Sequence, residues 1–109
     1  MFEKNMSIGY LLDFYGEILS ERKRGVLGMY YNEDLSLSEI SDIIGISRQG
    51  VRDIIKKAES ELLFYEEKLG LARRFGEVRD SVDRIGSLAS PLELPEELRK
   101  ELEHLAAIV

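Results

Sequence analysis

Arg48, Gln49 and Arg52 stand at helical spacing in one stretch of chain, and Lys56 and Lys57 follow one turn later. Side chains of these types at this spacing point to one kind of chemistry. Arginine pairs bidentately with the edge of guanine and glutamine with the edge of adenine in a major groove. The two lysines suit phosphate, which fixes position without reading sequence. Ser47, just before them, can cap the helix that carries them through its hydroxyl. The candidate nucleic-acid-binding set is therefore Ser47, Arg48, Gln49, Arg52, Lys56 and Lys57. The competing reading is a solvated helix face, where arginine and glutamine are ordinary.

A helix-turn-helix must position this set. In LSLSEISDIIGISRQGVRDII (residues 35–55), Ser36 and Glu39 have the spacing of a capping box that starts a short helix. Ile40, Ile43 and Ile44 lie at helical spacing on its apolar face, with small Ser41 where another helix can approach. Gly45 supplies the left-handed residue of a tight turn, which a Cβ would penalise. From Ser47 the second helix buries Val51, Ile54, Ile55 and Ala58 and turns Arg48, Gln49, Arg52, Asp53 and Lys56 outward. Two short helices so joined place the second in a nucleic-acid groove.

Charge is concentrated where this reading needs it. The chain of 109 residues has a formal net charge of −6. Residues 47–57 hold four basic side chains against Asp53 alone, net +3, whereas residues 1–46 and 58–109 carry −4 and −5. Acid outside the contact would repel a long duplex, so affinity should be modest and should fall steeply with salt.

The remaining pattern is helical from end to end, with no alternating run long enough for a strand. Ile8, Leu11, Leu12, Tyr15, Ile18 and Leu19 follow the spacing of a first amphipathic helix. Ser20 can cap a second, running through Val26, Leu27 and Tyr30, before a turn at Asn32, Glu33 and Asp34. The helix from Ser47 continues well past the groove, because Val51, Ile54, Ala58, Leu62, Tyr65 and Leu69 form a coiled-coil-like seam. Gly70 is its expected stop. Leu71, Phe75, Val78, Val82 and Ile85 then resume heptad spacing, residues 87–95 read as a proline-containing linker, and Pro95 opens a tail helix with Leu98, Leu102 and Leu105 on one side. The expected architecture is all-α: a helix-turn-helix domain of three to four helices with a long fourth helix over residues 1–70, and a helical extension over 71–109.

Other residues suggest weaker chemistry. Arg22, Lys23 and Arg24 could touch a phosphate backbone beside the recognition helix, or could serve solubility. Leu63 and Phe64 fall outside the seam and, with Phe75, Val78 and Val82, suit an oligomer interface, so a homodimer is expected. Tyr10, Phe14, Tyr15, Tyr30 and Tyr31 could stack on single-stranded bases, but their spacing favours a core. His104 is the one histidine and no cysteine is present, so disulfides and thiolate metal sites are excluded. With no phosphate loop or nucleophile–base set either, the expectation is a non-enzyme with no metal and no cofactor. No signal peptide or span of roughly 20 apolar residues is seen, so a cytosolic protein and no membrane partner are expected.

The blocks LLDFYGEILSERKR (residues 11–24), MYYNEDLSLSEIS (29–41), SRQGVRDIIKKAE (47–59) and YEEKLGL (65–71) occur here in the order in which they occur in the YlxM family. The chain resembles that family of bacterial helix-turn-helix proteins over its first two thirds. Its helix-turn-helix portion is also similar to the promoter-reading region of sigma factors. The resemblance implies an all-helical domain, a cytosolic bacterial setting, and a role with components of the signal recognition particle. DNA or RNA would be the ligand; a protein adaptor for the particle's GTPase is the alternative. Gly50 departs from the family, where Ala is commoner.

Overall fold

A computed structural model describes the backbone from Met6 to Val109 and side chains from Ser7 onward. Among the described residues there are six α-helices and no strand: α1 Met6–Tyr15, α2 Glu21–Leu27, α3 Leu37–Ile44, α4 Arg48–Leu69, α5 Leu71–Ala89 and α6 Glu96–Ile108. The all-α expectation holds. The chain divides into two compact units, residues 1–70 and 71–109.

In the first unit α4 is the spine against which α1, α2 and α3 all pack. Its buried stripe, Val51, Ile55, Ala58 and Leu62, meets Ile8, Leu11, Leu12, Tyr15 and Leu19 from the N-terminal segment, Val26, Leu27 and Tyr30 from the second, and Ile40 of α3 in one core. The sequence pattern suggests a seam for another chain, but these residues are consumed within the protein. Each fully buried aliphatic or aromatic side chain contributes roughly 1.5–3 kcal/mol by removal from water. Polar ties flank the stripe. Tyr15 donates its hydroxyl to Glu66 at 2.6 Å, Tyr31 donates to Glu59, and Lys23 pairs with Glu61 at 2.5 Å.

The structure departs from the expected pattern at four places. The α1 helix ends at Tyr15 and tightens into a 3₁₀ turn over Gly16–Ile18. Three residues per turn instead of 3.6 shifts the phase, so Leu19 is buried while Ile18, expected on the stripe, is 55% exposed. After α2 the backbone widens into a π-helical segment, Gly28–Asn32, closed by Glu33 N–H donating to Gly28 O at 3.1 Å. Asn32 thus belongs to that segment; the turn follows, with Asp34 at φ 55°. Ile43 is 62% exposed, because α3 packs chiefly on α4 and on the π-helical segment, which leaves part of its apolar face uncovered. Leu69, at the end of the seam, is also exposed.

Gly70 stops α4 in a left-handed conformation, φ 62°, its N–H donating to Glu66 O at 2.8 Å. The second unit is a hairpin of α5 and α6. Helix α5 runs to Ala89, three residues into the expected linker, because Ser87, Leu88 and Ala89 have no reason to leave a helix; Pro91 disfavours helix at Ser90 and ends it there. Pro95 caps α6. Leu92, Leu94 and Leu102 line a shallow apolar groove of about 300 Å³ between the two helices, beside Gly86, Ala89 and Ala106. Arg79 reaches the Val109 carbonyl at 3.2 Å, and Arg99 bridges Glu96 and Glu103 on the surface of α6.

Candidate nucleic-acid interface

Two caps build the site. Ser36 accepts the Glu39 N–H at 3.1 Å while Glu39 accepts the Ser36 N–H at 3.0 Å, the reciprocal capping box that fixes where α3 begins. At its other end Gly45 takes φ 75°, and its N–H donates to Ser41 O at 2.9 Å. Ser41 then donates its hydroxyl to the Ile46 carbonyl, pinning the turn from within. Ser47 accepts the Gly50 N–H at 3.0 Å and starts α4.

The result is a cleft of about 680 Å³ where the leading ends of α3 and α4 converge. It is lined by Ser36, Leu37 and Ser38 on one side and by Ser47, Arg48, Gln49 and Arg52 on the other. Four of the six residues singled out for nucleic-acid binding line this one concavity. Lys56 and Lys57 lie outside it, exposed one to two turns farther along α4. Among the described residues Arg48, Lys56 and Lys57 have no ion-pair partner, and Arg52 is half-buried at the cleft wall.

The contribution of α3 to this cleft does not stand out in the residue pattern. The capping box carried the signal: it marks a helix start, and first-turn N–H groups have no acceptor within their helix. Ser36 takes that of Glu39, which leaves the N–H groups of Leu37 and Ser38, two of the residues that line the cleft, without a helical acceptor. An anion there would gain from the positive end of the helix. Glu39 brings its carboxylate to the same end, so attraction depends chiefly on Arg48 and Arg52.

Two features bear on base reading. Gln49 donates one amide N–H to Asp53 at 2.9 Å, which orients the side chain and leaves its Oε1 and second N–H for a base edge. Gly50 presents no methyl group, and a Cβ there would stand 3.2 Å from Ile46 Cδ1 and 3.3 Å from Ser47 Oγ.

The other candidates lie elsewhere. Lys23 is committed to Glu61, nine residues past Arg52, or about 14 Å along α4 at 1.5 Å per residue. Arg22 and Arg24 remain exposed at the start of α2. Of the oligomer residues, Leu63 and Phe64 are 49% and 54% exposed on α4. In the second unit Val78 is exposed, while Phe75 and Val82 are half-buried and Arg79 lies over the Phe75 ring at 5.3 Å. Tyr15 and Tyr30 are buried, which removes them from any stacking surface; Tyr10 is exposed. His104 is exposed on α6.

Among the described residues no helix is long and apolar enough to cross a membrane. A family model, UPF0122, described as "Putative helix-turn-helix protein, YlxM / p13 like", matches residues 2–102. A UPF0122 protein of Thermoanaerobacter sp. strain X514 is 52% identical over 75 residues, 69% of this chain and 64% of its own length. The chain thus aligns with just under two thirds of that relative. A UPF0122 protein of Clostridium kluyveri is 44% identical over 92 residues, covering 81% of this chain and 83% of the relative. One from Bacillus cereus strain AH187 is 40% identical over 104 residues and 94% of both chains. The family description is that of a helix-turn-helix protein and not of an enzyme.

Proposed function

This chain belongs to the UPF0122 family of YlxM/p13-like helix-turn-helix proteins, and from that premise we propose that it binds nucleic acid through residues 47–57. The observation that supports this most directly is the cleft in which Ser47, Arg48, Gln49 and Arg52 meet the leading turn of α3. Phosphate is held by Arg48, Arg52 and the first-turn N–H groups, with Lys56 and Lys57 extending the contact. Gln49, oriented by its bond to Asp53, offers Oε1 and its second N–H to a base edge. The target is DNA or RNA of the signal recognition particle system, as the YlxM resemblance implies; the protein works in the cytosol, and its active form is a homodimer.

Fluorescence anisotropy against promoter DNA, the particle's RNA and an unrelated duplex, each over a range of salt, tests this. Binding should weaken with salt. Arg48→Ala and Arg52→Ala should each lower the log–log salt slope by roughly 0.9 on duplex DNA. Salt-insensitive binding, or variants that bind like wild type, would refute the assignment. The net charge of −6 and the exposed Leu63 and Phe64 favour one rival, an adaptor that binds the particle's GTPase. That complex would survive both arginine substitutions.

A further inference from the structure

The outward face of α4 changes character along its length. Arg48, Arg52 and Lys56 form a cationic stripe at its start. Farther on, and about a quarter-turn around the helix at 3.6 residues per turn, lie Lys57, Ser60, Phe64 and Glu67, all exposed, with exposed Leu63 at the edge. Ser60 is small and Phe64 large, and they are four residues apart. Lys57 and Glu67 are opposite in charge and flank them. All four are centred on position 62: the midpoint of 60 and 64 is also the midpoint of 57 and 67.

That arrangement is self-complementary. We propose that a second copy of this chain docks on this face with the two α4 helices antiparallel about a two-fold axis beside position 62. Phe64 of each copy then seats over Ser60 of the other, Leu63 widens the apolar contact, and Lys57 of each faces Glu67 of the other. A two-fold interface requires such a patch, since each residue pair occurs twice. The charge complementarity favours a second copy over an unrelated apolar partner.

The pair has a consequence that rests on the nucleic-acid reading above. Because the cationic stripe lies a quarter-turn from the docking face, the two-fold keeps both stripes on the same side of the dimer. The middle of the recognition turn, near position 50, is 12 residues from the axis, or about 18 Å at 1.5 Å per residue. The two recognition turns therefore stand about 36 Å apart, which matches the one-turn spacing of half-sites on duplex DNA, about 34–36 Å. The partner copy completes a binding surface for two successive grooves.

The chain contains no cysteine, so single introduced cysteines accept spin labels cleanly. Full-length Gln49→Cys and Asp53→Cys proteins should give inter-label distances near 39 Å and 27 Å respectively, shrinking by about 3 Å per residue toward the axis. Light scattering should report a dimer for wild type and a monomer with retained helicity for Phe64→Glu. Lys57→Glu and Glu67→Lys should each weaken the dimer, and the two together should restore it. On random-sequence duplexes, wild type should bind 24 base pairs roughly tenfold or more tighter than 12, and Phe64→Glu should lose that gain. A monomeric wild type, equal distances at positions 49 and 53, or a dimer indifferent to Phe64→Glu and to both charge reversals would overturn the proposal. A dimer with the expected distances that binds neither duplex DNA nor the particle's RNA would leave the pairing intact and refute the nucleic-acid reading alone.

Discussion

Asp53 is the side chain that most restrains the cationic turn of α4, since it holds the Gln49 amide and places a negative charge among Arg48, Arg52 and Lys56. Asp53→Ala should therefore tighten nucleic-acid binding by roughly fivefold at low salt, the effect of removing about 1 kcal/mol of like-charge repulsion. Unchanged affinity by anisotropy would place Asp53 outside the contact. Gly45 is constrained differently. Its φ of 75° lies where a Cβ is costly, so Gly45→Ala should destabilise the protein by about 1–2 kcal/mol in urea denaturation. Gly50→Ala should do the opposite. Helix propensity favours it by about 1 kcal/mol, and the nearest obstacle, Ile46 Cδ1, is the movable end of a side chain. A small net gain in stability is expected.

At the scale of helices, what local chemistry decides was readable beforehand. The capping box at Ser36, the turn at Gly45, the cap at Ser47 and the stop at Gly70 each depend on a few adjacent residues, and each stands where the residue types place it. Ser36→Ala should accordingly cost about 1 kcal/mol of stability. Features settled by neighbours far along the chain were not readable. The 3₁₀ turn that frees Ile18, the π-helical segment and the exposure of Ile43 depend on how α1, α2 and α3 share one face of α4. The same limit applied to the site. Arg48, Gln49 and Arg52 are legible from spacing, whereas the contribution of Ser36–Ser38 emerges only when two helix starts are brought together. Likewise no pattern joins Tyr15 to Glu66 across 51 positions. Tyr15→Phe should cost about 1–2 kcal/mol, because the half-buried carboxylate loses a strong donor.

For the molecule as a whole, the division at Gly70 separates a unit with a closed core from a hairpin whose α6 buries no residue fully. We propose that residues 1–70 fold independently: a chain ending at Gly70 should keep a single cooperative thermal transition by circular dichroism. Residues 71–109 alone, 39 in number, fall at the size where a lone chain rarely sustains structure without staples, and should lose most of their helicity. The two halves also differ in how they would tolerate a change of length. The connection over 90–95 lies between helices, where an added residue costs only a fraction of a kcal/mol in closure entropy. The widened turn at Gly28–Asn32 already accommodates one residue more than an α-helical turn holds. Excising a single residue there would regularise the spiral, rotate Tyr30 out of register with its core neighbours and pull Tyr31 from Glu59. A wide turn of backbone thus acts as a ruler, and shortening it by one graduation would misalign everything measured from it.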